Sequence, residues 1–395
     1  MKIDLSTIKN DLLTTGMKLA SAIESKGYEA YLVGGCVRDM VRWTIGQCGF
    51  PDIHDIDIST NMPIDELQKN FKTASNNGEA HGTILVFQDG EPFEVTQFRT
   101  DGAYTDGRHP DSIKFAKTFK EDCLRRDFTI NAMGLTGQGE VIDYYGGIDD
   151  VMNGIIRAVG KAEDRFAEDY LRIFRGVRFM VNFGYSLADS TYEAMKTTVD
   201  TYTYKINSLS YPRIRDEISK VKNPSKNLAL FFATLYRTGI LKYLVTFEDV
   251  DIPGLIARLE SVNHLTADNI FAVIAFGEYD VMLHRLAATR EDSRLLKWYY
   301  YMLKKLKEPN ENTSWDTIVK FVEGDYKTLL ELSKIVPAWY NRIPIALKLK
   351  KDKPDLHAIS ERVQNEFHVK PGPKFGAAVS YLLEEAYEAK ARHLQ

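Results

Sequence analysis

The fold is decided by the stretch Leu-Val-Gly-Gly-Cys-Val-Arg-Asp at residues 32–39. The apolar run that leads into it, residues 28–33, predicts a strand, and the residues after the two glycines predict a helix. Glycines at such a junction let backbone N–H groups approach a phosphate closely, and Arg38 adds a positive charge one turn into the helix. Gly35 and Arg38 are therefore candidate nucleotide-binding residues. A Gly-Gly turn of this kind also occurs where no nucleotide binds.

Two aspartates follow about twenty residues later, in His-Asp-Ile-Asp-Ile-Ser at residues 54–59. A strand alternates its side chains between two faces, so Asp55 and Asp57 share one face and the isoleucines share the other. Neighbouring carboxylates repel each other unless cations lie between them, and oxygen ligands suit Mg²⁺. Asp55 and Asp57 are thus candidate catalytic residues and ligands for two Mg²⁺ ions, which would clamp the attacking and leaving oxygens. The alternative is a solvated edge strand.

A third carboxylate is available on a neighbouring predicted strand. Glu94 lies in the predicted strand at residues 93–99 and is a further candidate catalytic residue. The alternative is a solvent-facing glutamate paired with a lysine. The sequence leaves open whether Glu94 touches metal or braces the strand.

Secondary-structure patterns divide the chain into an α+β part and a helical part. Short β-branched or aromatic runs separated by Gly or Asp turns predict one mixed sheet up to about residue 145, and only helical periodicity follows Gly146. We therefore predict an α+β fold with a mixed sheet, followed by an all-helical remainder. The predicted strands are residues 28–33, 53–59, 83–87, 93–99 and 113–115, and the predicted helices after residue 146 include 167–183, 211–221, 228–243 and 267–277.

Composition gives no global reason to expect a nucleic-acid partner. The 395 residues carry 51 Lys plus Arg against 55 Asp plus Glu, a formal net charge of -4, so any RNA-binding surface must be a local patch. The three cysteines lack zinc-site spacing, which fits a reducing, cytoplasmic setting. Neither a signal sequence nor a stretch of about 18 apolar residues is evident, so we expect no membrane span.

Four sequence motifs, in order, carry a resemblance to a known family. They are Gly-Gly-x-Val-Arg-Asp at 34–39, Asp-x-Asp at 55–57, Arg-Arg-Asp-Phe-Thr-Ile-Asn-Ala-Met at 125–133, and Glu-Asp-Tyr-Leu-Arg-Ile-Phe-Arg-Gly-Val-Arg-Phe at 168–179. The first two resemble the signature of the DNA polymerase β-like nucleotidyltransferase superfamily. The other two narrow the resemblance to the class II tRNA nucleotidyltransferases and bacterial-type poly(A) polymerases. Scattered matches continue beyond residue 185, at 213–217 and 371–376.

The last motif carries residues suited to reading a base. Asp169, Arg172 and Arg175 recur at three-residue intervals, so on one continuous helix they would share a face. A carboxylate accepts from the exocyclic amine of cytosine or adenine, and arginine donates to ring nitrogens or carbonyls. The resemblance implies that Asp169 and Arg172 act as a protein template for CTP and ATP. The alternative is a surface helix held by ordinary i, i+3 and i, i+4 ion pairs.

Further arginines are candidates for contacts to the nucleotide. Arg126 is expected to reach the triphosphate, because a bidentate guanidinium suits phosphate oxygens. Arg175 and Arg178 are nucleotide-binding candidates by resemblance, whereas Asp127 and Asn131 resemble positioning groups. An RNA-binding module without catalysis would not need these residues together with the aspartate pair, and a nucleotide sensor would not need the long helical remainder.

The segment at residues 99–110 bears on which nucleotides are added. It reads Arg-Thr-Asp-Gly-Ala-Tyr-Thr-Asp-Gly-Arg-His-Pro and resembles the loop that CCA-adding members need to switch from CTP to ATP. Arg108 followed by His109 favours tRNA over poly(A) tails, although many members have arginine in place of His109. The predicted function is therefore a CCA tRNA nucleotidyltransferase acting on the tRNA 3′ end with CTP and ATP and releasing pyrophosphate. The alternative is a poly(A) polymerase or an A-adding enzyme of the same family.

The resemblance also implies a domain order. We expect a polymerase β-like nucleotidyltransferase head at residues 1–145, a neck with the templating helix at 146–225, a helical body at 226–310 and a tRNA-binding tail at 311–395. No obligate protein partner is evident, and the widely spaced histidines show no phosphohydrolase motif. The candidate patches for acceptor-stem phosphates are the lysines within residues 304–307 and 348–353, unless these are simply solvated faces.

Overall fold

The computed structural model describes residues 1–74, 82–102, 112–201, 206, 209–244, 251–261, 314–322 and 342–394. The chain divides into two compact units. One comprises Met1–Ile218 with Thr234–Val245, and the other comprises Ser219–Ala233 with Thr246–Gln395. The predicted helix at residues 267–277 and the lysines at 304–307 lie outside the described residues.

A seven-stranded mixed sheet organises the first unit. The described strands are β1 (Ala30–Val33), β2 (Asp57–Thr60), β3 (Lys72–Ala74), β4 (Thr83–Gln88), β5 (Glu91–Gln97), β6 (Arg99–Asp101), β7 (Ile113–Phe115), β8 (Met133–Leu135), β9 (Val141–Asp143), β10 (Ile155–Ile156) and β11 (Ser186–Leu187). The sheet order is β3-β4-β5-β2-β1-β8-β9. β2 and β5 run parallel, and the other neighbouring strands of this sheet run antiparallel. The α+β prediction is confirmed.

Helices flank the sheet and continue beyond it in the first unit. α1 begins where the Asn10 side chain accepts from the Leu13 N–H at 2.8 Å, and the chain turns towards β1 at Gly27, whose φ of 87° favours glycine. Its apolar stripe, which includes Leu13 and Ile23, is buried. The helices of this unit include α1 (Asp11–Glu24), α2 (Gly35–Thr44), α3 (Ile64–Asn70), α4 (Phe119–Leu124), α5 (Gly147–Asn153), α6 (Ala162–Glu168), α7 (Leu171–Phe183), α8 (Asp189–Thr201) and α9 (Tyr211–Ser219).

Two details after Gly146 differ from the predictions. β10 and β11 form a short parallel pair, so strands do not end at Gly146; two-residue strands are too short to leave an alternating pattern. The predicted helix at 167–183 is also broken, because Asp169 has extended backbone, with φ -148° and ψ 108°, between α6 and α7. The Asp169 carboxylate accepts from the Leu171 N–H at 3.0 Å, and such a side-chain bond competes with helix continuation.

The described residues of the second unit are mainly helical. Glu384 on the last helix accepts from the Asp316 N–H at 3.1 Å and also from the Trp315 N–H, which caps the helix that begins there. Across the residues described, no helix combines the length and apolar character needed to cross a membrane. The remaining helices, of which the first extends into the first unit, are α10 (Pro224–Thr238), α11 (Ile252–Ser261), α12 (Trp315–Phe321), α13 (Arg342–Lys351), α14 (Leu356–Asn365) and α15 (Pro373–Leu394).

Candidate active site

The two aspartates lie where β2 begins, near the middle of the sheet. Asp55 precedes the strand and Asp57 is its first residue, and both are exposed, whereas Ile56 and Ile58 are buried. Asp57 is paired with Val33 at the end of β1 on one side. The structure therefore has the predicted alternation of exposed and buried residues, with both aspartates on the exposed face.

The third predicted carboxylate lies beside this pair. Glu94 on β5 is the residue paired with Asp57 across the parallel strands, and it is exposed. Desolvation by the surrounding protein and the negative charges of Asp55 and Glu94 together raise the pKa of Asp57 to about 6, while Arg126 opposes them. Negative charge therefore concentrates at one end of β2.

This concentration of carboxylates fits a divalent cation. Desolvation and, after it, repulsion by Asp55 and Glu94 raise the pKa of Asp57, and a cation would relieve that repulsion. Within the described part of the chain, no three His, Cys, Asp or Glu side chains form a complete metal-holding group. Mg²⁺ usually takes one or two carboxylates and completes its shell with waters and substrate phosphates. Asp55 and Asp57 are the residues that would hold it.

The glycine turn lies directly against the carboxylates. Gly34 has φ 80° and ψ -140°, a conformation that residues with a side chain rarely adopt, and a methyl group added to it would lie 3.8 Å from Asp57 Oδ2. Gly34 caps α2 without a side-chain hydrogen bond. The first N–H groups of α2, beginning at Gly35, therefore form a positive helix end beside Asp57, where a phosphate can bind.

Arg126 contributes a guanidinium to the same place. Its Nη2 donates to Ser59 Oγ at 3.0 Å, two residues along β2 from Asp57, and to Asp122 Oδ2 at 2.9 Å. Its Nε is buried without a hydrogen-bond partner among the described residues. The structure thus brings Arg126 to the carboxylates with donor capacity to spare.

Arg38 lies one turn into α2, where its side chain is largely enclosed by protein. Its side chain is bonded to Asp39 at 3.0 and 2.9 Å and to Asn131 Oδ1 at 2.8 Å, and the residue is only 8% exposed. The guanidinium lies 4.7 Å from the ring centroid of Phe183. Arg38 therefore braces α2 from within the protein, and its contact with a nucleotide stays a prediction.

Asp169 and Arg172 do not share a helix face, contrary to the spacing argument. Asp169 lies in the break before α7, where its carboxylate is bonded to Arg213 at 2.6 and 3.4 Å. Arg172, inside α7, donates to Glu168 and to the carbonyl oxygens of Arg165 and Arg125 at 3.1 and 3.0 Å. The helix ends at Asp169 because that side chain bonds to the backbone of the following turn.

The two remaining arginines belong to a network of ion pairs. Arg175 bonds to Asp127 at 2.9 Å and to Glu217 at 3.4 Å, and Arg178 bonds to Glu217 at 2.6 Å. The charges of Arg175 and Arg172 outweigh burial and lower the pKa of Asp127. Both arginines that were predicted to contact nucleotide are thus held by carboxylates in this structure.

The ion pairs that Arg213 forms with Asp169, and Glu217 with Arg175 and Arg178, were not predicted from the sequence. Arg213 and Glu217 both lie on α9, four residues apart, so they are neighbours on one face of that helix. The scattered match at residues 213–217 was the available signal, but nothing in it indicated which carboxylate or guanidinium each would meet.

The segment proposed to govern the change from CTP to ATP is described only at its ends. Arg99–Asp101 pairs with Ile113–Phe115 in an antiparallel hairpin. Residues 103–111, which include Arg108 and His109, lie outside the described residues. In the second unit, Lys350 donates to the Val322 carbonyl at 3.3 Å, and the exposed members of the predicted lysine patch are Lys348, Lys351 and Lys353.

Known structures share this fold. A Bacillus stearothermophilus CCA-adding enzyme in complex with CTP is 24% identical, with coverage of 97% of this chain and 94% of that one and a TM-score of 0.65. A Thermotoga maritima CCA-adding enzyme complexed with tRNA is 19% identical, with coverage of 100% and 99% and a TM-score of 0.68. At these identities the likeness establishes the fold alone.

Similarity in sequence is more specific about the family than the shared fold. Residues 30–157 match the family described as the Poly A polymerase head domain. A CCA-adding enzyme of Lactobacillus delbrueckii subsp. bulgaricus is 36% identical over 256 residues, which span 65% of this chain but only 60% of that protein. A CCA-adding enzyme of Streptococcus pyogenes serotype M2 is 31% identical over 379 residues, 91% of this chain and 89% of that protein. With the predicted motifs, this near full-length match shows that the chain belongs to the family of CCA-adding enzymes.

Proposed function

We propose that the chain adds C, C and A to the 3′ end of tRNA from CTP and ATP, with release of pyrophosphate, in a reaction supported by two Mg²⁺ ions. The observation that carries this proposal is that Asp57 lies against the Gly34 turn. A carboxylate that suits a cation is thereby next to the helix N–H groups that suit a phosphate. The names of the relatives support the choice of substrates. So do similar structures described as complexes with CTP, ATP and tRNA.

The chain's own groups bind and orient the triphosphate. The N–H groups at the start of α2, with Gly35 first, and the guanidinium of Arg126 take phosphate oxygens. Asp55 and Asp57 hold the ions, and Glu94 adds negative charge beside them. When bound, the ions supply charge neutralisation and activation of the attacking hydroxyl. The bond formed joins the tRNA 3′ oxygen to the α-phosphorus, and the bond to pyrophosphate breaks.

Base choice is assigned to Asp169 and Arg172. The carboxylate accepts from the amine shared by cytosine and adenine, and the guanidinium donates to ring nitrogen or carbonyl groups. Both side chains already have protein partners. An ionised carboxylate has about four acceptor positions and a guanidinium has five N–H donors, so each retains capacity for a base.

The helical residues after the sheet would measure the tRNA. We propose that the chain is divided into a head at residues 1–145, a neck at 146–225, a body at 226–310 and a tail at 311–395. Lys348, Lys351 and Lys353 are exposed in the tail and carry charge suited to acceptor-stem phosphates. We assign no base-specific role to them, because contacts to phosphates carry no sequence information.

The test uses Mg²⁺, both CTP and ATP with one of them labelled, and three tRNA transcripts. The transcripts end at the discriminator base, at C, or at CC. The expected products are CCA, CA and A additions, respectively, and none with EDTA or with the Asp55→Asn/Asp57→Asn variant. Addition of a single A only to the CC transcript would indicate an A-adding enzyme, and long A tracts would indicate a poly(A) polymerase. No extension of any transcript by the folded protein would refute the proposal.

A further inference from the structure

We propose that Arg213 is a specificity-determining positioning residue, which holds the Asp169 carboxylate in the orientation that accepts an exocyclic amine. This inference rests on the proposed function, because it concerns the choice of nucleotide. Arg213 Nη2 lies 2.6 Å from Asp169 Oδ2, and Nη1 lies 3.4 Å from Oδ1. A forked contact of this kind fixes the plane of a carboxylate as well as its position.

Asp169 depends on such a partner because of where it lies. Its backbone is extended in the break between α6 and α7, so the residue lacks the support of a continuous helix. Its side chain is 14% exposed and that of Arg213 is 25% exposed, which means that the pair is partly withdrawn from water. The Leu171 N–H, at 3.0 Å from Oδ1, provides a third donor. These three donors together fix the carboxylate.

A fixed carboxylate separates the four bases by charge. Cytosine and adenine present an amine that can donate to it, whereas uracil and guanine present a carbonyl oxygen at the corresponding position. A carbonyl facing a negative, acceptor-only group is repelled. If Arg213 were absent, Asp169 would be free to rotate away from a carbonyl, and the repulsion that rejects UTP and GTP would weaken.

Arg213 is itself held by the rest of α9. Glu217, one turn later on the same helix, is only 2% exposed and accepts from Arg178 at 2.6 Å and from Arg175 at 3.4 Å. Both arginines belong to α7, the helix that begins just after Asp169. The ion pairs of Glu217 therefore fix α9 on α7, and the position of Arg213 relative to Asp169 follows from that packing.

The experiment measures kcat/KM for single additions of CTP and UTP to a transcript ending at the discriminator base. We expect Arg213→Met to lower the CTP-over-UTP preference by about ten- to a hundred-fold, the size expected for one lost bidentate contact. Arg213→Lys, which keeps the charge but not the fork, should restore part of the preference. Arg237→Met is the matched control, since Arg237 is an exposed arginine near the end of α10, and its preference should equal that of the wild type.

A double variant tests whether Arg213 acts through Asp169. Asp169→Ala alone should lose the preference, and adding Arg213→Met to it should change the preference no further. The proposal is overturned if Arg213→Met slows the addition of CTP and of UTP equally, if Asp169→Ala keeps the preference, or if the two changes add. Thermal melting checks that each variant folds, and Arg213→Gln replaces Arg213→Met if the latter does not. Failure of the wild type to add any nucleotide would instead refute the proposed function.

Discussion

Asp57 on β2 and Glu94 on β5 are directly paired across the two parallel strands of the sheet. With Asp55 they place three carboxylates at one end of β2, and desolvation, together with this crowding, raises the pKa of Asp57 to about 6. Such a raised pKa makes the site sensitive to protons in a range where other aspartates are fully ionised.

The first prediction concerns the pH dependence of transfer at subsaturating Mg²⁺. Protons compete with cations for Asp57 below a pH of about 6, so the rate should rise with pH through that value. Glu94→Gln removes one of the charges that raise the pKa, and the rise should then occur at lower pH. Initial rates of addition from CTP between about pH 5 and about pH 8 measure it. A rise at the same pH in the variant would contradict the assignment.

The second prediction concerns the stability of the metal-free protein. The pKa of Asp57 is higher in the folded chain than its ordinary value of 3.8, so the ionised carboxylate costs stability above about pH 6 and the cost disappears as the pH falls below the ordinary value. Asp57→Asn should therefore stabilise the protein at pH 8 by roughly 1 kcal/mol, a figure reduced because Asp57 is partly open to solvent. Urea unfolding in EDTA measures it. The difference should vanish near pH 3, and a destabilised variant at pH 8 would contradict the argument.

A third prediction compares two glycines with the same φ. Gly34 and Gly46 have φ of 80° and 79°, but only Gly34 faces Asp57, whereas Gly46 has open space around it. Alanine at either should cost about 1–3 kcal/mol, because L residues are strained there. Only Gly34→Ala should also raise KM for both CTP and ATP, since its methyl group intrudes on the phosphate site. Equal KM values in the two variants would mean that the turn at Gly34 does not bind the phosphates.

A fourth prediction concerns the buried acid of α9. Glu217→Gln should lower the free energy of unfolding by about 3–5 kcal/mol, because Arg178 and Arg175 lose the charge that offsets their burial. Glu193→Gln is the matched control: Glu193 pairs with Lys196 at the surface of α8, where we expect a loss of at most about 1 kcal/mol. Chemical unfolding measures both. Equal losses would mean that the Glu217 ion pairs contribute little.

Local sequence predicted well which residues lie on each face where β2 begins. The alternation around Asp57 and the glycine turn at Gly34 are properties of a few consecutive residues, and strand period alone assigns their faces. The pairing of Asp57 with Glu94 joins strands separated by a long stretch of chain, and the sequence could offer Glu94 only as a candidate. Asp57 and Glu94 are paired because β5 lies beside β2 in the sheet.

The failures arose where a distant residue decides a local conformation. Helical period continues through Asp169, yet the helix stops there, because the Asp169 side chain bonds to the next turn and to Arg213. Arg38 lies one turn into α2, as expected, but Asn131 and Phe183, both remote in sequence, contact its guanidinium. Neither partner could be inferred from spacing within the motif that contains the residue.

The extended backbone at Asp169 has one more consequence. Asp169 joins two helices, and its carboxylate is bonded both to Arg213 and to the Leu171 N–H. A carboxylate held at one point offers a single place for an exocyclic amine. A pyrimidine and a purine would each have to bring the amine to that same point, so the base and not the protein would adjust to the difference in ring size.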